Sequence, residues 1–172
     1  MAPDEAESDG RQARPVAPRE YAAFINQVEL VTIWLSAAEV TNRHGPETPD
    51  KGVLDIQRSS RWETRPGGFR AFHTYAATLK TADASAASME VTFGLDFDSA
   101  QPMTEEIFSI FQVVNLPINT WPYLREFLAT TFGRFGWEPI IIPAFKVGAK
   151  APPRERRRSG EAARPRRRER EA

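Results

Sequence analysis

The chain has 172 residues, with 23 basic and 23 acidic side chains, no net charge and no cysteine. That length suits one domain, and the missing thiols exclude disulfides, cysteine nucleophiles and cysteine-ligated zinc. The neutrality hides an asymmetry, because residues 151–172 hold nine arginines against four glutamates while the rest is mildly acidic.

Residues 1–20 are rich in Ala, Pro, Asp and Glu, and residues 151–172 contain no aliphatic larger than alanine and no aromatic. Such segments bury too little apolar surface to offset chain entropy, so both are expected to be disordered tails around one domain at 21–150. No run reaches the roughly 18 apolar residues of a membrane span. Nor does the N-terminal region carry an apolar run of signal-peptide length, so a cytoplasmic location is expected.

Along the domain, Tyr21, Phe24, Ile25 and Val28 recur at helical spacing after Pro18, predicting a short helix. Residues 28–40 are rich in β-branched side chains and apolar on both faces, predicting a central strand. His44, Gly45, Pro46, Pro49 and Gly52 mark a loop. Residues 53–65 alternate weakly and carry many charges, as an edge strand does. Pro66-Gly67-Gly68 turns the chain into a third strand over 69–81. In the fourth, Met89, Val91, Phe93, Leu95 and Phe97 alternate with Ser88, Glu90, Thr92, Gly94 and Asp96, giving one apolar and one wet face. Thr104 followed by Glu105 and Glu106 reads as a capped helix start. Asn115 to Trp121, holding Pro117, predicts a break, and Pro122 the first turn of a second helix ending at Gly133 or Gly136. Pro139 and Pro143 bracket an extended apolar segment.

Strands followed by helices predict an α+β domain, a four-stranded antiparallel sheet with helices packed on one face. Strands near 13 residues are about twice the usual length, and one main helix covers too little of their apolar face. Part of that face is expected to meet another subunit or an apolar ligand.

The search for catalytic chemistry yields little. His44 sits in a Pro/Gly loop and His73 within a strand, neither in a motif. Glu105 and Glu106 are adjacent on a helix and so point apart. The glycines fit no phosphate-loop spacing. No metal or cofactor motif is found, and the protein is not expected to be an enzyme. The arginine tail could meet phosphates, but no aromatics are interleaved for base stacking, so nucleic-acid binding is the minor alternative. Eight aromatics fall within residues 108–137: Phe108, Phe111, Trp121, Tyr123, Phe127, Phe132, Phe135 and Trp137. They exceed what one face can hide, and some should line a groove or subunit contact.

The run Trp121-Pro122-Tyr123-Leu124-Arg125-Glu126 resembles the aromatic-preceded Pro-Tyr-x-Arg-Glu motif that opens the main helix of SecB and SecB-like export chaperones. The Gly-containing break, the proline-bracketed Gly136-to-Pro143 segment, the order of four strands before the helix and the entry at Tyr21 to Leu30 are similar too, so the likeness spans roughly residues 21–147. The resemblance implies a Greek-key sheet and a homo-oligomer, dimer or tetramer. It also implies a holdase that keeps unfolded polypeptides or preproteins in apolar grooves without ATP or any other cofactor. Relatives hand clients to the SecA motor or protect an antitoxin in toxin–antitoxin systems.

Two departures qualify that picture. Ala144-Phe-Lys-Val leads at once to Gly148 and the arginine tail, where the family has Val-Asn-Phe-Asp and a second helix, and the Cys/His zinc tail of many export members is replaced by arginines. The expected groove residues are Phe108, Phe111, Trp121, Tyr123 and Trp137, with Phe93 and Phe97 as sheet-face contributors or core. Pro122, Tyr123, Arg125 and Glu126 form the structural motif, in which Arg125 and Glu126 are expected to fix the helix start by ion pairing.

Overall fold

The computed structural model describes residues 16–82 and 84–146, so most of the two expected tails, 1–15 and 151–172, lies outside the described residues. The elements follow as α1 (Pro18–Ile25), β1 (Val28–Asn42), β2 (Val53–Arg65), β3 (Gly68–Lys80), β4 (Ser85–Ser99) and α2 (Glu105–Phe135). The first helix thus starts before residue 21, within the segment expected to be a tail. Pro18 opens α1 at a position where its missing N–H leaves no bond unmade.

The four strands form one antiparallel sheet in the order β1-β4-β3-β2. Three successive strands are joined by short turns and the first returns beside the fourth, which is a Greek key. Residues 43–52 therefore carry the chain from one sheet edge to the other.

The alternation of β3 and β4 decides where the core sits. Phe69, Ala71, His73, Tyr75, Ala77 and Leu79 pair across the ladder with Phe97, Leu95, Phe93, Val91, Met89 and Ala87, and all twelve are buried under α2. Phe111 stands edge-on to both Phe69 and Phe97, with ring centroids 5.4 and 5.2 Å away. Phe24 of α1 packs on Phe69, and Tyr21 donates from its hydroxyl to Asn115 Oδ1 at 2.6 Å, tying α1 to α2.

The opposite face of the sheet is polar. Arg70 holds Asp96 through two hydrogen bonds of 2.7 and 2.9 Å, and Arg65 pairs with Asp98. Hydrogen bonding from the Arg70 guanidinium holds the Asp96 carboxyl below its ordinary range. Trp34 lies flat over Gly94, where an added Cβ would fall 2.3 Å from the indole, so glycine is what admits the ring.

Two sequence expectations are corrected here. First, β1 is an edge strand that, among the described residues, pairs only with β4. Its apolar character on both faces has two separate causes: Trp34 covers Gly94 on the polar side, while Leu30, Ile33, Leu35, Ala38 and Val40 face the helix side, opposite Phe97, Leu95, Phe93, Val91 and Met89. Second, no break separates two helices. α2 runs 31 residues with Pro117 and Pro122 inside it. Each proline removes an i to i−4 bond at a cost of about 3 kcal/mol. The buried face of Leu116, Pro117, Thr120, Leu124 and Leu128 offsets it. Nearby carbonyls gain side-chain partners, since Asn119 Nδ2 donates to Asn115 O at 2.8 Å and Thr120 Oγ1 to Leu116 O at 2.7 Å.

The helix ends behave as the sequence predicts. Thr104 accepts from the Ile107 N–H, and Gly136 takes a left-handed conformation (φ 84°) to close the C-terminus. Trp137 then donates from Nε1 to Gly45 O at 2.8 Å, anchoring the 43–52 crossover beneath the end of α2.

Candidate functional site

The apolar surface left open by this fold lies along two margins of α2. On the first margin, toward β1, Leu35 is 51% exposed, and Leu30 and Val40 are exposed to a lesser degree, at 38% and 37%. Tyr123 belongs to this side. Its ring lies 6.1 Å from that of Phe93, the residue paired with Leu35, and nearly half of its area is exposed. The outer backbone edge of β1 has no strand partner among the described residues, and the strand carries neither Lys, Arg nor Pro, the usual guards of an exposed edge. Register shifts at Val31 and Ser36 are its only interruptions.

On the second margin, toward β2, the chain comes back on itself. After Trp137 it runs along α2 without helix or strand hydrogen bonding. Ile142 is buried, whereas Ile141 is 79% exposed. Trp121 donates from Nε1 to Pro143 O at 2.7 Å, and its ring lies 5.7 Å from Phe145 and 5.9 Å from Tyr75. Ile118, Trp121, Pro122, Arg125, Ala144 and Phe145 line an open cleft of about 200 Å3. Arg58 of β2 places its guanidinium 5.6 Å from the centre of the Phe145 ring.

The predicted site residues divide sharply. Phe93, Phe97, Phe108, Phe111 and Trp137 are 1–4% exposed and belong to the core of the subunit. Phe108, Phe111 and Trp137, expected in a groove, are covered within the single subunit and present almost no area at its surface. Trp121 and Tyr123 do reach the surface, on opposite margins of α2. Pro122 lies inside the helix rather than at its start, so Arg125 and Glu126 cannot fix a helix start. Glu126 instead accepts from Thr130 Oγ1 at 2.8 Å, and Arg125 forms no ion pair among the described residues. Ile118 and Phe145 were missed by sequence reasoning. The signal existed: Ile118, Trp121, Pro122 and Arg125 fall at i, i+3, i+4 and i+7, but the break assigned to 115–121 divided them.

His73, the buried histidine, hydrogen-bonds through Nδ1 to Ser60 Oγ at 2.7 Å and stands edge-on to the Tyr75 ring. Its Nε2 is buried and has no partner among the described residues, so no carboxylate completes a catalytic relay there. Burial, helped by the Arg58 charge, pushes its pKa down to about 4. No group of three or more potential metal ligands occurs among the described residues, and none of the described helices is long and apolar enough to cross a membrane.

Comparison with known proteins places this geometry. No family model and no curated protein matches the chain. Among solved structures, a SecB-like chaperone of Mycobacterium tuberculosis, in complex with a ChAD peptide from the HigA1 antitoxin, superposes with a TM-score of 0.65 at 16% identity, covering 74% of this chain and 97% of that one. A protein of unknown function from Streptococcus agalactiae gives a TM-score of 0.37 at 8% identity, over 68% and 97% of the two chains. The fold is that of the SecB-like chaperones, an α+β Greek-key sheet backed by a long helix.

Proposed function

We propose that this protein is a divergent, non-enzymatic SecB-like holdase that binds non-native polypeptide without ATP and works as a homo-oligomer. The observation that carries the reading is the uncovered apolar surface flanking α2, with Leu30, Leu35 and Val40 on one margin and Ile118, Trp121 and Ile141 on the other. Such surface gains roughly 25 cal/mol per Å2 of client area buried and asks little of client sequence. Native proteins hide their apolar side chains, so the surface selects unfolded chains.

The two margins suit different occupants. The β1 margin joins a strand edge that lacks Lys, Arg and Pro to an apolar strip, which favours a second copy of the chain extending the sheet. The β2 margin has its strand edge lined by Asp55, Arg58, Arg61, Glu63 and Arg65 and is left to the client. A cytoplasmic setting is a further part of the proposal inherited from the resemblance, whereas arginines in place of the Cys/His zinc tail argue against docking to SecA in the manner of the export members.

A second reading has an observation of its own. The mycobacterial chaperone of the same fold was solved with an antitoxin peptide, which supports one dedicated client in place of many. Aggregation of several unrelated, chemically denatured proteins, followed by light scattering, separates the two. The holdase is expected to suppress scattering of most of them near one oligomer per client. Failure on every unrelated substrate would leave only the dedicated-client reading. The nucleic-acid alternative rests on residues 151–172, which lie outside the described residues.

A further inference from the structure

The cleft between α2 and the returning segment has a charge character that its apolar lining does not require. Its lining is Ile118, Trp121, Pro122, Ala144 and Phe145, with Arg125 as the one charged member. Arg58 stands over Phe145 from the β2 side, and Lys146 follows it in the chain. All three cations are exposed, and none pairs with a carboxylate among the described residues. The neighbouring acid, Glu126, is turned to Thr130. By contrast, Arg65 and Arg70 are matched by Asp98 and Asp96. Three cations without a carboxylate partner among the described residues thus stand around or beside one apolar cleft.

The sequence beyond the cleft is also basic. Lys146 follows the cleft residue Phe145, and four residues separate it from the segment 151–172 with its nine arginines and four glutamates. Four residues reach at most about 14 Å even when fully extended. The basic segment therefore begins on a tether no longer than a Debye length or two from residue 146.

We infer that this cleft is a subsite for acidic polypeptide segments, taking one bulky apolar client side chain between Ile118, Trp121 and Phe145 while Arg125, Arg58 and Lys146 meet carboxylates flanking it. The inference rests on the holdase reading and gives it a preferred client chemistry. The apolar anchor supplies contact area, and the cations favour acidic over neutral or basic neighbours. A nucleic acid would use the same charge, but the cleft presents only Trp121 and Phe145 as rings, and these already lie against each other.

The test uses the full chain and fluorescein-labelled twelve-residue peptides read by anisotropy. One peptide has a central Trp flanked by glutamates, a second replaces the glutamates by glutamine, and a third replaces the Trp by alanine. The acidic Trp peptide should bind about tenfold more tightly than either control, and its advantage over the glutamine peptide should shrink as salt rises. Arg125→Glu, at an exposed helix position, should weaken the acidic peptide about fivefold or more and leave the glutamine peptide within about twofold. Equal affinity for acidic and neutral peptides, or indifference to Arg125→Glu, would overturn the inference. So would a twelve-nucleotide single strand that displaces the peptide at equal affinity from both the native chain and an Ile118→Ala variant. If the chain still suppresses aggregation in those cases, the holdase reading stands and only the charge preference falls. If it suppresses nothing and binds no peptide, both fall.

Discussion

Replacing Leu35 and Val40 together by lysine should convert the assembled protein into monomers that remain folded. Both side chains are substantially exposed in the subunit, at 51% and 37%, so the substitution removes little from the intrinsic core. In a two-fold interface each change occurs twice. Losing an apolar contact worth about 1.5–3 kcal/mol at each leucine, and burying a lysine instead, weakens association by about 3–6 kcal/mol. That is roughly a hundredfold to ten-thousandfold in the dissociation constant. Sedimentation at micromolar concentration should show one slower species with an unchanged far-ultraviolet circular dichroism spectrum. An unaltered sedimentation rate would place the subunit contact elsewhere.

The second large effect is in acid. His73 titrates near 4 when folded, against 6.5 for the free side chain, because burial beneath α2 disfavours the imidazolium and Arg58 adds to that. The unfolded chain therefore binds more protons than the folded one between those two values, and stability falls as pH drops through that window. Between pH 7.5 and pH 5 the loss amounts to about 2 kcal/mol from this residue. The carboxylates do not confuse the window. Asp96 is held down by the hydrogen bonds of Arg70, and Glu106 by a hydrogen bond with its own backbone N–H and one from Thr104, so their contributions are lost only at lower pH. Urea unfolding at the two pH values should show the drop in the native chain. A His73→Gln variant, neutral throughout, should start from lower stability but lose about 2 kcal/mol less across the same interval. Parallel curves for the two proteins would mean that His73 takes up its proton as readily in the fold as in the unfolded chain.

How far the fold could be read from residues follows from what each element had to satisfy. β4 was legible because one of its faces is covered by α2 and the other meets solvent, so Met89 through Phe97 alternate cleanly. β1 was misplaced because an apolar strand reads the same whether its two faces are buried within the subunit or left for something else to cover. Its position at the edge follows from ladder pairing alone, which no local pattern encodes. The length of α2 was misjudged through a rule that holds for isolated helices. Pro117 and Pro122 do weaken the backbone, yet the burial of Leu116, Thr120 and Leu124 between and around them keeps one axis.

The site was legible only in part, and for the same reason. Trp121 and Tyr123 stand out in the Trp-Pro-Tyr-Leu-Arg-Glu run, and both reach the surface. Phe108, Phe111 and Trp137 are equally aromatic, and only their packing against Trp62, Phe69, Phe97 and Phe132 shows that they are core. The cleft wall at Phe145 lies well along the chain from Ile118 and Trp121 yet beside them in space. Two prolines and a tryptophan hydrogen bond fold that segment back, and periodicity says nothing of such a contact.

The account depends on the uncovered margins of α2 and β1 being binding surfaces for other chains. The most direct measurement is the native mass of the full-length protein at micromolar concentration, alone and after mixing with a urea-denatured client diluted into buffer. The account predicts an oligomer by itself and a defined complex of that oligomer with the client. A monomer whose mass is unchanged by the denatured chain would contradict it.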